Sequence, residues 1–171
     1  MQASREGCSE LCGVLLQKCA AFKMRPVDPG QMLKIAEKTT PVFCEAGDQV
    51  ARLGDKCDVV WFVASGSLRC EVDGIECQIL EAGQSIGEMS FVAVSTMVSA
   101  GTDLEEARET STRSADVIAC EHTELLELSF DDAWRVVKTV PNLFYTLKEM
   151  ADLKVRHSQR CKSMAMANLA K

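Results

Sequence analysis

Histidine is scarce in this sequence, and the paired-cysteine spacing of metal sites is missing. His122 and His157 are the only two histidines, and none of the nine cysteines (8, 12, 19, 44, 57, 70, 77, 120 and 161) forms a C-x-x-C. A zinc site of common spacing therefore has no ligand set. Two separated histidines also cannot supply the ligand cluster of a metal-dependent β-roll enzyme, so neither catalysis nor a cofactor is expected. Long apolar runs are lacking too. No stretch approaches about eighteen apolar residues, and the opening "MQASREGCSELCG" has no signal-peptide core, so no membrane span or leader is expected. Positive charge is short: 19 Lys and Arg stand against 25 Asp and Glu, a net charge of −6 with a pI near 5.0. That balance argues against a nucleic-acid polymer as partner, because phosphate neutralisation needs clustered cations. With no helix-turn-helix segment evident, it argues against a transcription factor as well. A single phosphate ester held by one Arg is still allowed. The odd cysteine count does not suit a closed disulfide framework, and the expected setting is the cytoplasm, with reduced thiols acting mostly as small buried hydrophobes.

What is present reads as helices, then about eight strands, then helices. The length of 171 residues suits one domain. The 47% hydrophobic and 26% charged shares are ordinary for a globular chain. In "SELCGVLLQKCAAF" (9–22), Leu11, Val14, Leu15 and Cys19 fall at helical spacings, and Ser9 is a candidate cap. In "VDPGQMLKIAEKT" (27–39), Asp28 precedes Pro29 at the first helical position, and Met32, Leu33, Ile35 and Ala36 form the expected buried stripe. From Pro41 the period shortens, and turn residues recur at Gly47-Asp48, Gly54-Asp55, Gly66, Asp73-Gly74 and Gly83. "CEVDGIECQIL" predicts a hairpin with Asp73-Gly74 in a primed turn. Such spacing means a sandwich, roll or barrel.

Trp61 and Phe62 sit in a continuous apolar strand and are expected in the core. Residues 92–112 read as an irregular surface loop with an acidic second half, Asp103, Glu105, Glu106 and Glu109 against Arg108, in which "DLEEARE" is the alternative for a helical turn or two. "SADVIAC" and "TELLELS" predict two further strands. "SFDDAWRVVKTV" predicts a helix capped by Ser129 or Asp131 and ended by Pro141. A long helix follows, with Leu143, Leu147 and Met150 on its apolar stripe and Lys154, His157, Arg160 and Lys162 making its later part basic. The organisation is an N-terminal helical segment at 1–40, a β region at 41–128 carrying the insert, and C-terminal helices at 129–171.

The segment "ILEAGQSIGEMSF" poses a question. Glu88 follows Gly87 just after a strand-like run, and such a residue is either a solvated turn carboxylate or a ligand. The ordered set Gly47, Gly54-Asp55, "VVWFVASGSLRCEV", Gly83, "IGEMSF" and "TRSADVIA" resembles the cyclic nucleotide-binding domain, the domain of protein kinase A regulatory subunits, cyclic-nucleotide-gated channels and the bacterial catabolite activator protein. The resemblance covers roughly residues 10–155. It implies a mainly β, α+β fold: an eight-stranded β-roll or jelly roll with N-terminal helices and a C-terminal helix pair. It implies a cyclic nucleotide, cAMP or cGMP, as ligand. Glu88 would then accept the ribose 2′-hydroxyl, and Arg113 would fork onto the exocyclic phosphate oxygens. Gly87, Met89, Ser90, Ser114 and Ala115 would complete the site, the small residues letting backbone N–H groups approach the anion. Ser114, where many cGMP-selective domains carry Thr, leans towards cAMP. Segment 142–164 would be the lid that binding draws over the pocket.

One departure stands out. Residues 89–112, 24 positions, separate Glu88 from Arg113, where the family has a short cassette. A flexible acidic excursion there would repel a bound phosphate at short range. The rival reading is a module of the same fold without ligand, binding a protein through the helices and the 92–112 insert.

Overall fold

The structure is a computed structural model that describes residues 12–17, 19, 22–23 and 26–169, with side chains as far as residue 156. Ser9 and Leu11 lie outside that description, as do the side chains of His157, Arg160 and Lys162. Residues 12–17 are helical. Helix α1 (Pro29–Ala36) begins as its sequence predicts: Asp28 is extended and accepts from the Gln31 N–H at 3.0 Å, with Pro in the first turn. Met32, Ile35 and Ala36 are buried, but Leu33 turns outward at 40% exposure, so the apolar stripe is narrower than expected.

Eight strands form two antiparallel four-stranded sheets. β1 (Thr40–Cys44), β8 (Thr123–Ser129), β3 (Val59–Ser65) and β6 (Ser85–Ile86) make one. β2 (Gln49–Ala51), β7 (Asp116–Ala119), β4 (Ser67–Val72) and β5 (Ile75–Glu81) make the other. The β4–β5 hairpin turns at Asp73 (φ 53°) and Gly74 (φ 74°), both left-handed as a primed turn demands. This is the expected β-roll.

Strand β3 divides the interior. Val60 and Phe62 join a core with the N-terminal helical residues, α1 and the later helices, while Trp61 and Val63 face a second core inside the roll. Alternate side chains of a strand point to opposite faces, so one apolar run serves both.

Residues 92–112 are not a surface loop. Helix α2 (Glu88–Ser99) runs through the first half, burying Phe91, Val94 and Ser95. Its hydroxyl residues bond back to carbonyls one turn earlier: Ser95 to Phe91 O (2.7 Å), Thr96 to Val92 O (2.8 Å) and Ser99 to Ser95 O (2.8 Å). These bonds satisfy the hydroxyls inside the helix, and the buried Phe91 and Val94 anchor it. Gly101 turns the chain at φ 101°, and Asp103 caps α3 (Leu104–Glu109) by accepting from the Glu105 and Glu106 N–H groups. Ala107 is fully buried, and Arg108 clips the segment to Asp131 at 2.8 Å. The expected flexible excursion is thus a packed helical layer.

Ser129 caps α4 (Phe130–Thr139) through the Asp132 N–H. α5 (Pro141–Leu169) follows after Val140, as one helix. Leu143 and Leu147 are fully buried, each contributing roughly 1.5–3 kcal/mol by leaving water, and they fix α5 against the helical core.

Candidate functional site

The site forms where β6 passes into α2. Ser85 and Ile86 pair with Phe62 and Trp61, Gly87 turns at φ 91°, and Glu88 opens the helix. A β-carbon on Gly87 would lie 2.3 Å from the Val59 carbonyl oxygen and 2.9 Å from Arg113 Nη1. Only glycine combines that backbone with that approach. No side chain caps α2, so its first N–H groups have no intrahelical acceptor, and the helix dipole adds partial positive charge there.

Arg113 faces this turn. Its own backbone is clamped to the 52–58 turn, with its N–H donating to Asp55 O at 2.8 Å and its carbonyl accepting from the Gly54 N–H at 2.9 Å. The side chain runs inward until the residue is only 6% exposed. Nη2 donates to Val59 O at 3.3 Å, and Cζ lies 4.3 Å from the centre of the Trp61 ring. Trp61 is fixed in turn by Nε1 donating to Glu127 Oε2 at 2.8 Å. Nη1 is buried and has no hydrogen-bond partner among the described residues. Burial pulls the guanidinium below its ordinary pKa, against the opposing pull of Cys57, Asp58, Glu127 and Glu88. An unpaired buried donor costs about 1–3 kcal/mol. The arrangement therefore gains from any anion that meets Nη1 at the helix N-terminus.

The Glu88 carboxylate lies between β6 and α5, where its side chain is 1% exposed. Oε2 accepts from Ser85 Oγ at 2.9 Å. Oε1 meets the Lys154 ammonium of α5 at 2.6 Å, as an ion pair without an aligned hydrogen bond. Lys154 Nζ also donates to the Ser85 carbonyl, and Met150 Sδ accepts from Ser85 Oγ at 3.5 Å. The Cys70 thiol borders this cluster: burial pushes its pKa up, Lys154 lowers it and Glu88 raises it.

The structure brings Gly87, Glu88 and Arg113 together. Ser90 is half-buried beside the Cys57 thiol, whose pKa burial raises and the Ser90 hydroxyl lowers. Met89, the second residue of α2, is 41% exposed. Ser114 is exposed and Ala115 half-buried, just before β7. Asp103, Glu105, Glu106 and Glu109 are all exposed, and none is among the groups that shift Arg113. These four carboxylates stand in solvent and not against the guanidinium. Sequence reasoning missed Trp61 as the platform under Arg113, Ser85 as a carboxylate donor, and Lys154. Trp61 was assigned to the core, which is also where it sits. Lys154 had only its place in a basic run to mark it.

A family model for the cyclic nucleotide-binding domain matches residues 41–140. The chain belongs to this family. The match runs from the second residue of β1 through β8 of this cyclic nucleotide-binding domain, takes in Gly87, Glu88 and Arg113, and stops short of Lys154. Solved structures agree on the fold. The catabolite activator protein of Thermus thermophilus superposes with a TM-score of 0.65 at 22% identity, covering 85% of this chain and 62% of that one. The regulatory domain of Toxoplasma gondii PKA, crystallised with cAMP, gives 0.63 at 18% identity over 90% of this chain and 51% of its own. cAMP-bound PfPKA-R gives 0.63 at 15% identity over 86% and 49%. The chain thus spans about half the length of these two PKA regulatory structures. No curated protein matches the sequence. Among the described residues no helix is long and apolar enough to cross a membrane, and no group of His, Cys, Asp and Glu is placed to hold a metal ion.

Proposed function

We propose that this domain is a non-enzymatic cyclic-nucleotide sensor, binding cAMP or cGMP and signalling occupancy through α5. The observation that carries the reading is Arg113: a guanidinium only 6% exposed, with an unpaired Nη1 beside the uncapped N-terminus of a 12-residue helix. A buried cation with a free donor is costly unless an anion completes it. Two relatives of the same fold carry cAMP in their structures, which supports a phosphodiester as that anion. Glu88 would take the ribose hydroxyl by a charge-assisted bond, worth about 1.5–3 kcal/mol. Ser114 supports cAMP over cGMP. The described cysteines are free thiols, which suits a cytosolic setting.

Thermal unfolding with cAMP, cGMP and AMP tests the reading. A cyclic nucleotide at a hundredfold excess over its dissociation constant should stabilise the domain by about 2.7 kcal/mol, with AMP inactive. No shift at millimolar nucleotide would sink it. One observation favours the rival, a ligand-free interaction module: Glu88 already has two partners inside the chain, Ser85 and Lys154. The same titration separates the two.

A further inference from the structure

Glu88 is covered from the α5 side. Lys154 Nζ sits 2.6 Å from Oε1 and also holds the Ser85 carbonyl, while Met150 accepts from the Ser85 hydroxyl that serves Oε2. With 1% of the Glu88 side chain exposed, a ribose hydroxyl can approach the carboxylate only if the Met150–Lys154 turn of α5 withdraws. The lysine fits the position chemically as well. An ammonium offers three donors on a flexible stem, and one of them occupies the Glu88 oxygen that a sugar hydroxyl would otherwise donate to. Its stem remains 21% exposed, so it can swing out without unfolding the helix.

We propose that Lys154 is an internal occupant of the ribose site, and that nucleotide entry displaces it and releases α5. This rests on the sensor reading for the identity of the ligand, but the latch itself does not. The direction is opposite to the lid closure that the family resemblance implies. Here α5 is held near its middle by the sugar-free carboxylate and let go when a sugar takes the lysine's place. The domain's apparent affinity is then its intrinsic affinity reduced by the fraction of molecules in which Lys154 has let go.

The test uses Lys154→Met, which keeps the apolar stem and removes the charge, with Lys154→Arg as a charge-keeping control. cAMP and cGMP are titrated calorimetrically, and amide hydrogen exchange is followed over residues 141–156 with and without nucleotide. Lys154→Met should lower exchange protection of that segment without nucleotide, and should tighten nucleotide binding by about five- to a hundredfold, the range of ordinary coupling between sites. Lys154→Arg keeps the cation and should keep more protection than Lys154→Met, with a smaller gain in affinity. In the parent chain, nucleotide should lower protection of 141–156. Weaker binding by Lys154→Met, or nucleotide-induced gain of protection in the parent, overturns the proposal and makes Lys154 a ligand contact. If neither chain binds a cyclic nucleotide, the sensor reading fails on its own. A protection loss in Lys154→Met then still upholds the latch, and unchanged protection overturns it.

Discussion

Replacing Arg113 should separate binding from stability, and the structure sets the size of each effect. Arg113→Met removes a buried cation. Its orphaned Nη1 costs about 1–3 kcal/mol as it stands. Against that relief stand the stacking on Trp61, about 0.5–2 kcal/mol, and the 3.3 Å bond to the Val59 carbonyl, about 0.5–1.5 kcal/mol. The terms nearly cancel. The variant should unfold in urea within about 1 kcal/mol of the parent, far from the roughly 2–5 kcal/mol of a large core truncation. Nucleotide binding should meanwhile fall at least about a hundredfold, since the only buried guanidinium of the site is gone. Arg113→Lys should retain stability equally well and lose about ten- to a hundredfold in affinity, because a point charge replaces a planar fork. Equilibrium urea unfolding and nucleotide titration on the three chains provide both axes. If Arg113→Met costs more than about 3 kcal/mol without ligand, Arg113 is a structural cation and the anion-site argument is wrong.

Three further changes probe neighbouring claims. Gly87→Ala forces a β-carbon onto the Val59 carbonyl at 2.3 Å and a left-handed φ of 91°, so it should cost more than about 2 kcal/mol in urea unfolding; a neutral result would show that this turn is free to relax. Ala107→Asp places a carboxylate where α3 is fully buried and should lower the melting temperature sharply, by several kcal/mol in stability, whereas a floppy insert would not notice it. The Cys19 thiol is pushed up to about 12 by burial; it should resist alkylation at pH 8 while exposed Cys77 reacts first, read by mass spectrometry. Since the folded state holds the Cys19 proton more tightly than the unfolded chain, stability should fall between about pH 9 and 12 with a slope of up to about 1.4 kcal/mol per pH unit, and Cys19→Val should flatten that slope.

The β-roll could be read from its punctuation. Asp73-Gly74, Gly47 and Gly54 mark turns whose backbones are left-handed in fact, at φ 53° and 74°, 92° and 86°. Gly87, Glu88 and Arg113 were legible because each lies in a short motif whose chemistry suits one ligand. Residues 92–112 were not. "VAVSTMVS" has weak helix propensity, and its helix is held by packing: Phe91 sits edge-on to Phe130 and Trp134, at 5.2 and 5.9 Å. Tertiary packing of this kind overrides local preference. The Lys154–Glu88 pair joins residues 66 positions apart in the chain (154 − 88). Nothing local to either residue signals a contact that only the docking of α5 creates.

Strand β3 has a mechanical consequence. Because Val60 and Phe62 belong to one core and Trp61 and Val63 to the other, the strand works as a bulkhead between two compartments. α1, α2, α4 and the buried face of α5 load one side. The Trp61 ring under Arg113 and the roll interior load the other. The two walls of the anion site thus belong to different compartments: the N-terminus of α2 is tied through Phe91 and Val94 to the helical layer, and the Arg113–Trp61 stack to the roll. A shift of the helical layer would move one wall against the other, as a vice closes on a fixed jaw.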